Sequence, residues 1–231
     1  MSNIMTDSVT TGTEVHTEAE QYKASNLHTD ATLKYRTQHK LRLSYMPWLY
    51  WRLKPKQREW AQAWQAQLQA YLQEMETVII HGDCFIAPEA KLFAEPGRPI
   101  VINSGSFIAA DAVLHGPITI GCNVGINHHV TMDGGRQGIT IGNHCRIAAY
   151  CHFYAFNHGM AADTLISEQP VSSKGIVIED DVWLGAHVGI VDGVNIGAGS
   201  IIGMQSVVTK AVPPGSKIAG NPAIMIGKRR L

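Results

Sequence analysis

Large apolar residues recur at every sixth position over most of this 231-residue chain. Interruptions follow positions 92, 132 and 153, but the spacing resumes after each of them. The series consists of Ile80, Ile86, Leu92, Ile102, Ile108, Leu114, Ile120, Ile126, Met132, Ile141, Ile147, Phe153, Ile178, Leu184, Ile190, Ile196, Ile202 and Val208. A small or β-branched residue, such as Cys84, Ser106 or Val124, stands four positions after most of them. This repeat constrains the fold more than any other feature of the sequence.

A six-residue period fits neither an α-helix nor an ordinary strand. The helix repeats every ~3.6 residues, and a strand alternates every two residues without turning at each sixth. A coil of three short strands, each with its turn, fits both the period and the frequent small residue after the apolar one. Eighteen units make about six coils, which would stack to roughly 29 Å. The repeat therefore predicts a mainly β chain, a parallel β-helix filled by the recurring apolar residues.

The chain before the repeat divides into two segments. Residues 1–30 are rich in Thr, Ser and Glu and show no periodicity, which predicts a disordered tail. Residues 31–77 begin with a basic and aromatic stretch that contains Pro47 and Pro55. These prolines argue against one long helix in this stretch.

An amphipathic helix is predicted over residues 57–76, where apolar residues recur at spacings of three and four. We expect it to cap the unpaired edge of the first coil, with Trp60 and Trp64 packed in the cap. The β-helix domain is predicted over residues 78–227, with a loop at 159–177 and a basic tail at 228–231.

The charge balance argues against a nucleic-acid partner. The 19 Lys and Arg residues offset the 19 Asp and Glu residues, so no basic excess is available to neutralise phosphates. No stretch of 18 or more apolar residues is present, and the polar N-terminus lacks the apolar region of a signal peptide, so we expect a cytoplasmic protein. The four cysteines lack C-x-x-C spacing and are expected to be free thiols; no metal is expected.

A resemblance to a known family is carried by two segments, IEDDVWLGAHVGIVDGVNIGAGSIIGMQSVVTKAVPPGSKIAGNPA and AYCHFYAFNHG. Over about residues 78–227 the chain resembles the hexapeptide-repeat acyltransferases, among them galactoside, maltose and nodulation O-acetyltransferases and polysaccharide O-acetyltransferases. The resemblance implies a left-handed β-helix and a homotrimer with active sites between subunits. It also implies transfer of an acetyl group from acetyl-CoA to a hydroxyl of a small acceptor, such as a sugar or cell-surface saccharide.

Acetyl transfer to a hydroxyl needs a base, and a neutral imidazole accepts a proton near pH 7. His158 ends the last unit before the longest interruption of the repeat. Loops on a rigid scaffold commonly carry function. The resemblance adds that F-N-H-G matches the place of the family's catalytic histidine, so His158 is the predicted general base. His129, His144 and His187 each take the fourth place of a unit, which predicts surface positions.

Three residues are candidates for contacts with the acceptor. Asn127 matches, within one position of alignment, an asparagine that the sugar acetyltransferases place near the acceptor hydroxyl; a structural asparagine in a turn is the alternative. Asp133 is a further candidate. Trp183 occupies an outward place in its unit, and the family match places it in a subunit interface, against acceptor or pantetheine. The repeat places Asn127 and Trp183 near the corner between the first and second strands of a coil and His158 after the third, and threefold symmetry can unite such corners.

Contacts with the co-substrate acetyl-CoA are predicted in the segment 202–210. Gly203 and Met204 offer extended backbone to the pantetheine amides. Thr209 and Lys210 match the family's T-K pair near the nucleotide end of the coenzyme, where Lys210 offers a point charge to phosphate.

The chain departs from the family after A-G-N-P-A. The family often has a phosphate-binding arginine there, and this chain has Ile224. Lys228, Arg229 and Arg230 are close enough in sequence to supply that charge.

Other interpretations stay open at this level. The γ-class carbonic anhydrases share the coil but are known for an H-x-x-x-x-H pair, whereas His152 and His158 are six apart. A non-catalytic β-helix scaffold is the second alternative. Within the enzyme class, a larger acyl group than acetyl and an amine acceptor stay open as alternatives. The basic aromatic stretch 41–54 is expected to pack on the β-helix or to line the acceptor cleft, and contact with a membrane surface is the alternative.

Overall fold

The computed structural model describes residues 18–229, with side chains from residue 32 onward. The chain divides into two compact units, Met1–Lys40 and Leu41–Leu231. Residues 1–17 of the predicted disordered tail lie outside the described residues. From residue 18 onward the backbone is helical, so the irregular chain predicted up to residue 30 is not found there.

Three helical elements precede the first strand: α1 (Glu18–Tyr45), a 3₁₀ helix (Pro47–Arg52) and α2 (Pro55–Met75). The sequence of α1 contains neither proline nor glycine, which explains why the helix persists where polar composition predicted disorder. Pro47 and Pro55 each open a new element, because proline is compatible with the first turn of a helix. The expectation that the prolines prevent one long helix here is confirmed.

Eighteen short strands follow and form six coils. Their bounds are β1 (Val78–Ile80), β2 (Phe85–Ile86), β3 (Lys91–Phe93), β4 (Ile100–Ile102), β5 (Phe107–Ile108), β6 (Val113–His115), β7 (Ile118–Ile120), β8 (Gly125–Ile126), β9 (Thr131–Asp133), β10 (Ile139–Ile141), β11 (Arg146–Ile147), β12 (His152–Tyr154), β13 (Ile176–Ile178), β14 (Trp183–Leu184), β15 (Gly189–Val191), β16 (Asn195–Ile196), β17 (Ile201–Ile202) and β18 (Val207–Val208). The first strands of the coils form sheet A, the second strands sheet B and the third strands sheet C, all parallel. The predicted mainly β fold, a parallel β-helix, is confirmed.

The recurring apolar residues stack in register inside the coils. In sheet A, for example, Ile102, Ile120 and Ile141 lie on successive coils and are buried. Burying a side chain of this size contributes about 1.5–3 kcal/mol. All four cysteines are free, as expected, and burial raises the pKa of Cys84 and of Cys151 to about 11. Those two thiols are therefore packing residues rather than nucleophiles.

The turns place the fourth residue of many units in the left-handed backbone region. Eight non-glycine residues there have φ between +56° and +61°: Asp111, Asn123, His129, His144, Tyr150, Asp181, His187 and Gln205. Asn, Asp and His tolerate this conformation better than most residues. The predicted turn positions of His129, His144 and His187 therefore have a backbone reason that is independent of chemistry.

Helix α2 covers the open edge of the first coil with side-chain amides. Gln65 donates from Nε2 to the Ile86 carbonyl (3.0 Å) and accepts from the Ile86 N–H (2.8 Å). Gln69 donates to the Cys84 carbonyl over 2.8 Å. Trp64 packs on an aromatic ring of β2, with 5.9 Å between centroids. The two amides supply hydrogen bonds that a neighbouring strand would otherwise make. The predicted cap therefore satisfies backbone groups of this edge as well as covering it.

The last coil continues into a hairpin that the sequence analysis did not predict. Strand β19 (Ser216–Gly220) pairs in parallel with β17, and β20 (Ala223–Lys228) pairs antiparallel with β19. The hairpin extends sheet B past the sixth coil, so this edge is covered by the chain itself. Lys228 therefore belongs to a strand rather than to the predicted basic tail, and residues 230–231 of that tail lie outside the described part of the chain.

Candidate functional site

The turn from sheet C back into sheet A forms an edge of the β-helix that we call the C–A corner. Glu95 follows β3, His115 ends β6, Asp133 ends β9 and His158 follows β12. The register places His115 beside Asp133, and successive coils lie about 4.8 Å apart. The C–A corner thus carries the predicted base and the predicted acceptor contact Asp133, together with two residues that the sequence analysis did not select.

His115 bridges two carboxylates on this corner. Its Nε2 lies 2.9 Å from Glu95 Oε1, and its Nδ1 lies 3.3 Å from Asp133 Oδ2. The hydrogen bond to Glu95, helped by Asp133, raises the pKa of His115 above its ordinary value. The same hydrogen bond lowers the pKa of Glu95. A proton is therefore held more firmly at His115 than on an isolated imidazole, which makes this side chain a donor toward its neighbours.

His158 stands at the root of the loop between β12 and β13. Asn157 and Ser172 close the neck of this loop through two backbone hydrogen bonds of 2.8 and 2.9 Å. Gln169 binds backbone groups inside the loop at 2.7–2.9 Å, so the loop is held by its own side chain. The exposed ring of His158 lies 6.0 Å from the ring of Phe156 and has no hydrogen-bond or ion-pair partner within residues 32–229. Both ring nitrogens are thus open to a substrate.

A hollow of about 510 Å³ adjoins the C–A corner. Its lining includes Arg98, His115, Asp133, Phe156 and Ser173. Asp133 and His115 also line a neighbouring hollow of about 390 Å³. The hollow combines a carboxylate, an imidazole and an aromatic ring, which suits a polyhydroxylated molecule presented to a base.

The outer side of sheet B carries a different set of residues. Register aligns Phe107, Gly125, Arg146 and Trp183 in one row across four coils. Trp183 is 54% exposed, in agreement with its predicted outward position. A groove of about 610 Å³, which we call the sheet B groove, lies over this row. Its lining residues are Trp48, Trp51, Arg52, Gly105, Phe107, Asn123, Asn127 and Arg146.

Asn127 lies one corner further along its coil than the sequence analysis placed it. Strand β8 contains only two residues, so Asn127 already belongs to the turn between the second and third strands. Its Nδ2 donates to the Ile147 carbonyl of the next coil over 2.8 Å, and Asn103 makes the equivalent bond to Ile120. Part of the role of Asn127 is therefore structural. Its Oδ1 remains available to accept a hydrogen bond from a hydroxyl.

The predicted site residues thus fall into two groups on one chain. His158 and Asp133 lie on the C–A corner, whereas Asn127 and Trp183 lie on or beside sheet B, the opposite side of the triangular section. Each side is about six residues of extended chain, at most ~20 Å, and the interior is filled. His158 therefore does not meet the second group within a single chain.

Comparison with known proteins identifies the family. Residues 175–210 match the family described as bacterial transferase hexapeptide (six repeats). WbbJ of Escherichia coli strain K12, named as a lipopolysaccharide biosynthesis O-acetyl transferase, is 31% identical over 159 residues, which cover 65% of this chain and 78% of WbbJ. The chain belongs to the hexapeptide-repeat acyltransferase family.

Solved structures of similar proteins include an N-acyltransferase and an acetyltransferase. A serine-to-alanine variant of AntD, an N-acyltransferase from Bacillus cereus crystallised with dTDP-4-amino-4,6-dideoxyglucose and coenzyme A, is 25% identical with a TM-score of 0.62. The match covers 71% of this chain and 90% of AntD. The polySia-specific acetyltransferase NeuO is 29% identical with a TM-score of 0.55, over 65% of this chain and 66% of NeuO.

Members of this acyltransferase family need a place for an acyl donor, and the last coil of this chain fits one in part. The side chain of Met204 is 63% exposed at the turn before β18. Thr209 and Lys210 are exposed just after β18, where the C–A corner ends. Lys210 has no carboxylate partner among the described residues. An exposed hydroxyl and an unpaired ammonium next to each other suit a phosphate group.

Gly203 offers less to such a donor than predicted. Its N–H already donates to the Ile218 carbonyl over 2.8 Å, and its carbonyl accepts from Ser206 Oγ over 2.6 Å. Strand β19, absent from the sequence prediction, supplies the first of these bonds. Any backbone contact of Gly203 with a ligand would therefore use the second lone pair of its carbonyl.

The basic residues near the C-terminus are not all free to take the place of the arginine that the family often has after A-G-N-P-A. Ile224 lies on β20 and is 66% exposed. Arg229 is bound by Asp181, with 2.7 Å between Nη1 and Oδ2. Arg230 lies outside the described residues. Lys210 is thus the better-placed cation for a phosphate in this part of the chain.

Several residues of the site were not selected from the sequence. His115 and Arg146 stand at regular places of the repeat, and the unit pattern that identified Trp183 also places Arg146 on the same outward row. Arg52 and Trp48 lie outside the repeat, so no pattern could place them.

Within residues 32–229 no group of three or more His, Cys, Asp or Glu side chains is arranged to hold a metal ion. In the part of the chain that the structure describes, no helix is both long and apolar enough to cross a membrane.

Proposed function

We propose that this chain is an acetyl-CoA-dependent O-acetyltransferase that acts in the cytoplasm on a hydroxyl of a saccharide. The observation that carries the proposal is the exposed imidazole of His158 at the root of the loop. This ring has no hydrogen-bond or ion-pair partner within residues 32–229 and lies 6.0 Å from the ring of Phe156, a lining residue of the hollow at the C–A corner. The names of WbbJ, an O-acetyl transferase of lipopolysaccharide biosynthesis, and of NeuO, an acetyltransferase specific for polySia, support a saccharide acceptor.

His158 acts as the general base in this proposal. Its free ring nitrogen takes the proton of the acceptor hydroxyl as that oxygen bonds to the carbonyl carbon of the thioester. The carbon–sulfur bond breaks, and the imidazolium returns the proton to the departing sulfur, so an ester and a free thiol result. A positioned base of this kind contributes about 10²–10⁴-fold to the rate.

The remaining residues bind and orient the two substrates. Asp133 accepts a hydrogen bond from a second hydroxyl of the acceptor, and Asn127 accepts one through Oδ1. Trp183 packs against acceptor or pantetheine, while Met204, Thr209 and Lys210 hold the coenzyme, with a minor part for Gly203. The complex of AntD with coenzyme A supports an acyl-CoA donor.

We also propose that the active enzyme is a homotrimer. A threefold axis would bring the C–A corner of one subunit against the sheet B side of the next, which unites the two groups of residues. Sedimentation of the purified chain at micromolar concentration tests this assembly, and an active monomer would disprove it.

The function is tested by incubating the chain with acetyl-CoA and a panel of neutral, acidic and amino sugars. Release of coenzyme thiol is followed, and the product is examined by mass spectrometry and mild alkali. An alkali-labile ester on a sugar is the expected result. An alkali-stable amide on the amino sugars alone would instead assign N-acyl transfer, the activity in the name of AntD. No thiol release above that of acetyl-CoA alone would leave the non-catalytic scaffold as the better explanation.

A further inference from the structure

The sheet B groove has basic side chains with no acidic side chain beside them, unlike the two hollows at the C–A corner, whose linings contain Asp133. Two guanidinium groups, those of Arg52 and Arg146, line it, and its lining contains no Asp or Glu. Neither arginine forms an ion pair with a carboxylate among the described residues. Exposed arginines without a counter-ion, facing one groove, create a local excess of positive charge.

The part of the groove that comes from the 3₁₀ helix is held in place by specific contacts. The 3₁₀ helix that supplies Trp48, Trp51 and Arg52 is anchored through the buried ring of Tyr50. Its Oη donates to Asp83 Oδ1 over 3.1 Å, and the Arg58 guanidinium lies 4.2 Å from its ring centroid.

A second contact of Arg58 strengthens this anchor. Arg58 also binds the Tyr50 carbonyl and pairs with Asp83. The carboxylate of Asp83, the acid beside this helix, is therefore already paired with Arg58. The end of the helix is thus held in place for a ligand.

Two lining residues of the groove, Phe107 and Arg146, pack over Gly125. Its neighbours in register are Phe107 and Arg146. A Cβ on Gly125 would lie 2.7 Å from Phe107 Cζ and 3.4 Å from Arg146 Cδ. The Phe107 ring can therefore lie against the strand beside Arg146 because this position is glycine.

The groove also has surfaces suited to a sugar ring. Trp48 is 41% exposed, and aromatic rings offer flat apolar surface to the C–H groups of a pyranose. Asn127 presents Oδ1, since its amide nitrogen is engaged with the next coil. Arg146 has one nitrogen engaged with the backbone carbonyls of Asn123 and Cys145, which orients the rest of the planar group.

We propose that the sheet B groove binds an acid-bearing saccharide, with Arg52 and Arg146 on its carboxylate or phosphate and Trp48 against its ring. The inference rests on the proposed function, because it names the class of acceptor that the enzyme would acetylate. Arginine binds both anions through paired N–H groups, so the shared chemistry is a planar or tetrahedral oxyanion. The hollow of about 510 Å³ at the C–A corner also contains two arginines, Arg98 and Arg136, but its lining includes the carboxylate of Asp133, whereas the sheet B groove has no acidic side chain in its lining.

Binding to the full-length chain tests the groove without any need for turnover. Calorimetry and tryptophan fluorescence are measured with methyl glucuronide, glucose 1-phosphate and the neutral methyl glucoside at low salt. The first two are expected to bind at least about 10-fold more tightly than the third. If only the glucuronide or only the sugar phosphate binds, the result identifies which anion the groove takes and still supports the groove as an acid-binding site.

Matched variants identify the residues responsible. Arg52→Gln and Arg146→Gln should each weaken binding of the acids about 10-fold to 100-fold and leave the neutral glucoside unchanged. Gly125→Ala should weaken all three while both charges remain. Lys91→Gln, on exposed β3 of sheet C, removes one charge elsewhere and should change nothing. Thermal unfolding of each variant verifies that it is folded.

Three results would overturn the groove as an acid-binding site. These are equal binding of acid and neutral sugars, arginine variants that bind as wild type, and displacement of the acids by adenosine 3′,5′-bisphosphate, which would assign the groove to coenzyme A. Failure of acetyl transfer with binding intact would refute the proposed function alone. Transfer to acidic acceptors that is unaffected by both arginine variants would refute the groove alone.

Discussion

The C–A corner and the sheet B groove lie on the same coils but present opposite chemistry. The corner carries Glu95, Asp133 and two histidines, and His115 lies within hydrogen-bond distance of both carboxylates. The groove carries exposed aromatic surface and two arginines without a carboxylate partner among the described residues, to which we assign a sugar ring and an anion. The repeat supplies the corner and Arg146, because the outward positions of each unit are not restricted to apolar residues, whereas Arg52 and Trp48 come from the 3₁₀ helix before it.

We propose that a single chain places its base on the corner and a site for the acid group of the acceptor in the groove. Changes at His158 should then act on turnover, changes at Lys210 on affinity for acetyl-CoA, and changes in the groove on affinity for the acceptor. A His158 variant that mainly changed affinity, or a groove variant that mainly changed turnover, would show that the two regions are coupled more closely than a single chain allows.

The largest effect is expected from the corner at His158. His158→Asn keeps a polar side chain of similar size but removes the base, so turnover should fall about 10²–10⁴-fold. Affinity for acetyl-CoA, measured by calorimetry, should stay unchanged. His129→Asn is the matched control, since His129 lies in a turn with φ +58° that asparagine tolerates. Wild-type turnover in the His158 variant, or its loss in the control, would refute the assignment of the base.

A smaller effect is expected at the end of the corner where we propose that the coenzyme binds. Lys210→Ala should raise the KM for acetyl-CoA about 5-fold to 30-fold, because an exposed charge-assisted contact with phosphate is lost. Turnover at saturation should be nearly intact, which would distinguish Lys210 from His158 on the same edge. Lys91→Ala is the control for loss of a surface charge. An unchanged KM in the Lys210 variant would remove the residue from the coenzyme site.

The smallest effect concerns His115 and is read from stability. Its raised pKa means that the folded chain holds this proton more firmly than the unfolded chain. The stabilisation is therefore complete below about pH 6.5 and is lost as the pH rises through the raised pKa. The advantage of wild type over His115→Gln in the free energy of unfolding should be largest below about pH 6.5 and shrink as the pH rises further.

The control for this measurement is His81→Gln, an exposed histidine on the first coil. Its difference from wild type should not depend on pH in the same way. If the difference in the free energy of unfolding between wild type and His115→Gln did not depend on pH, the two carboxylates would not retain the proton of His115. That outcome would contradict the description of the corner as an edge that holds a proton.

Much of the fold and part of the site could be read from the sequence. The six-residue period predicts all eighteen strands, because each coil pairs only with its neighbours and the pattern is local. It also placed Trp183 outward and His158 at the root of the long loop, and the prolines marked the starts of two helical elements.

Tertiary structure decided what the repeat leaves open. Glu95 and His115 are 20 residues apart, and only the stacking of coils and the conformation of their turns brings the side chains to 2.9 Å. Strand length decided the corner of Asn127, because a two-residue strand ends before it. Arg52 and Trp48 belong to no repeat, and they reach Arg146 only because Tyr50 anchors the 3₁₀ helix against the first coils. A local period specifies inward positions through burial, whereas contacts between outward side chains depend on how non-repeating segments dock, which no period encodes.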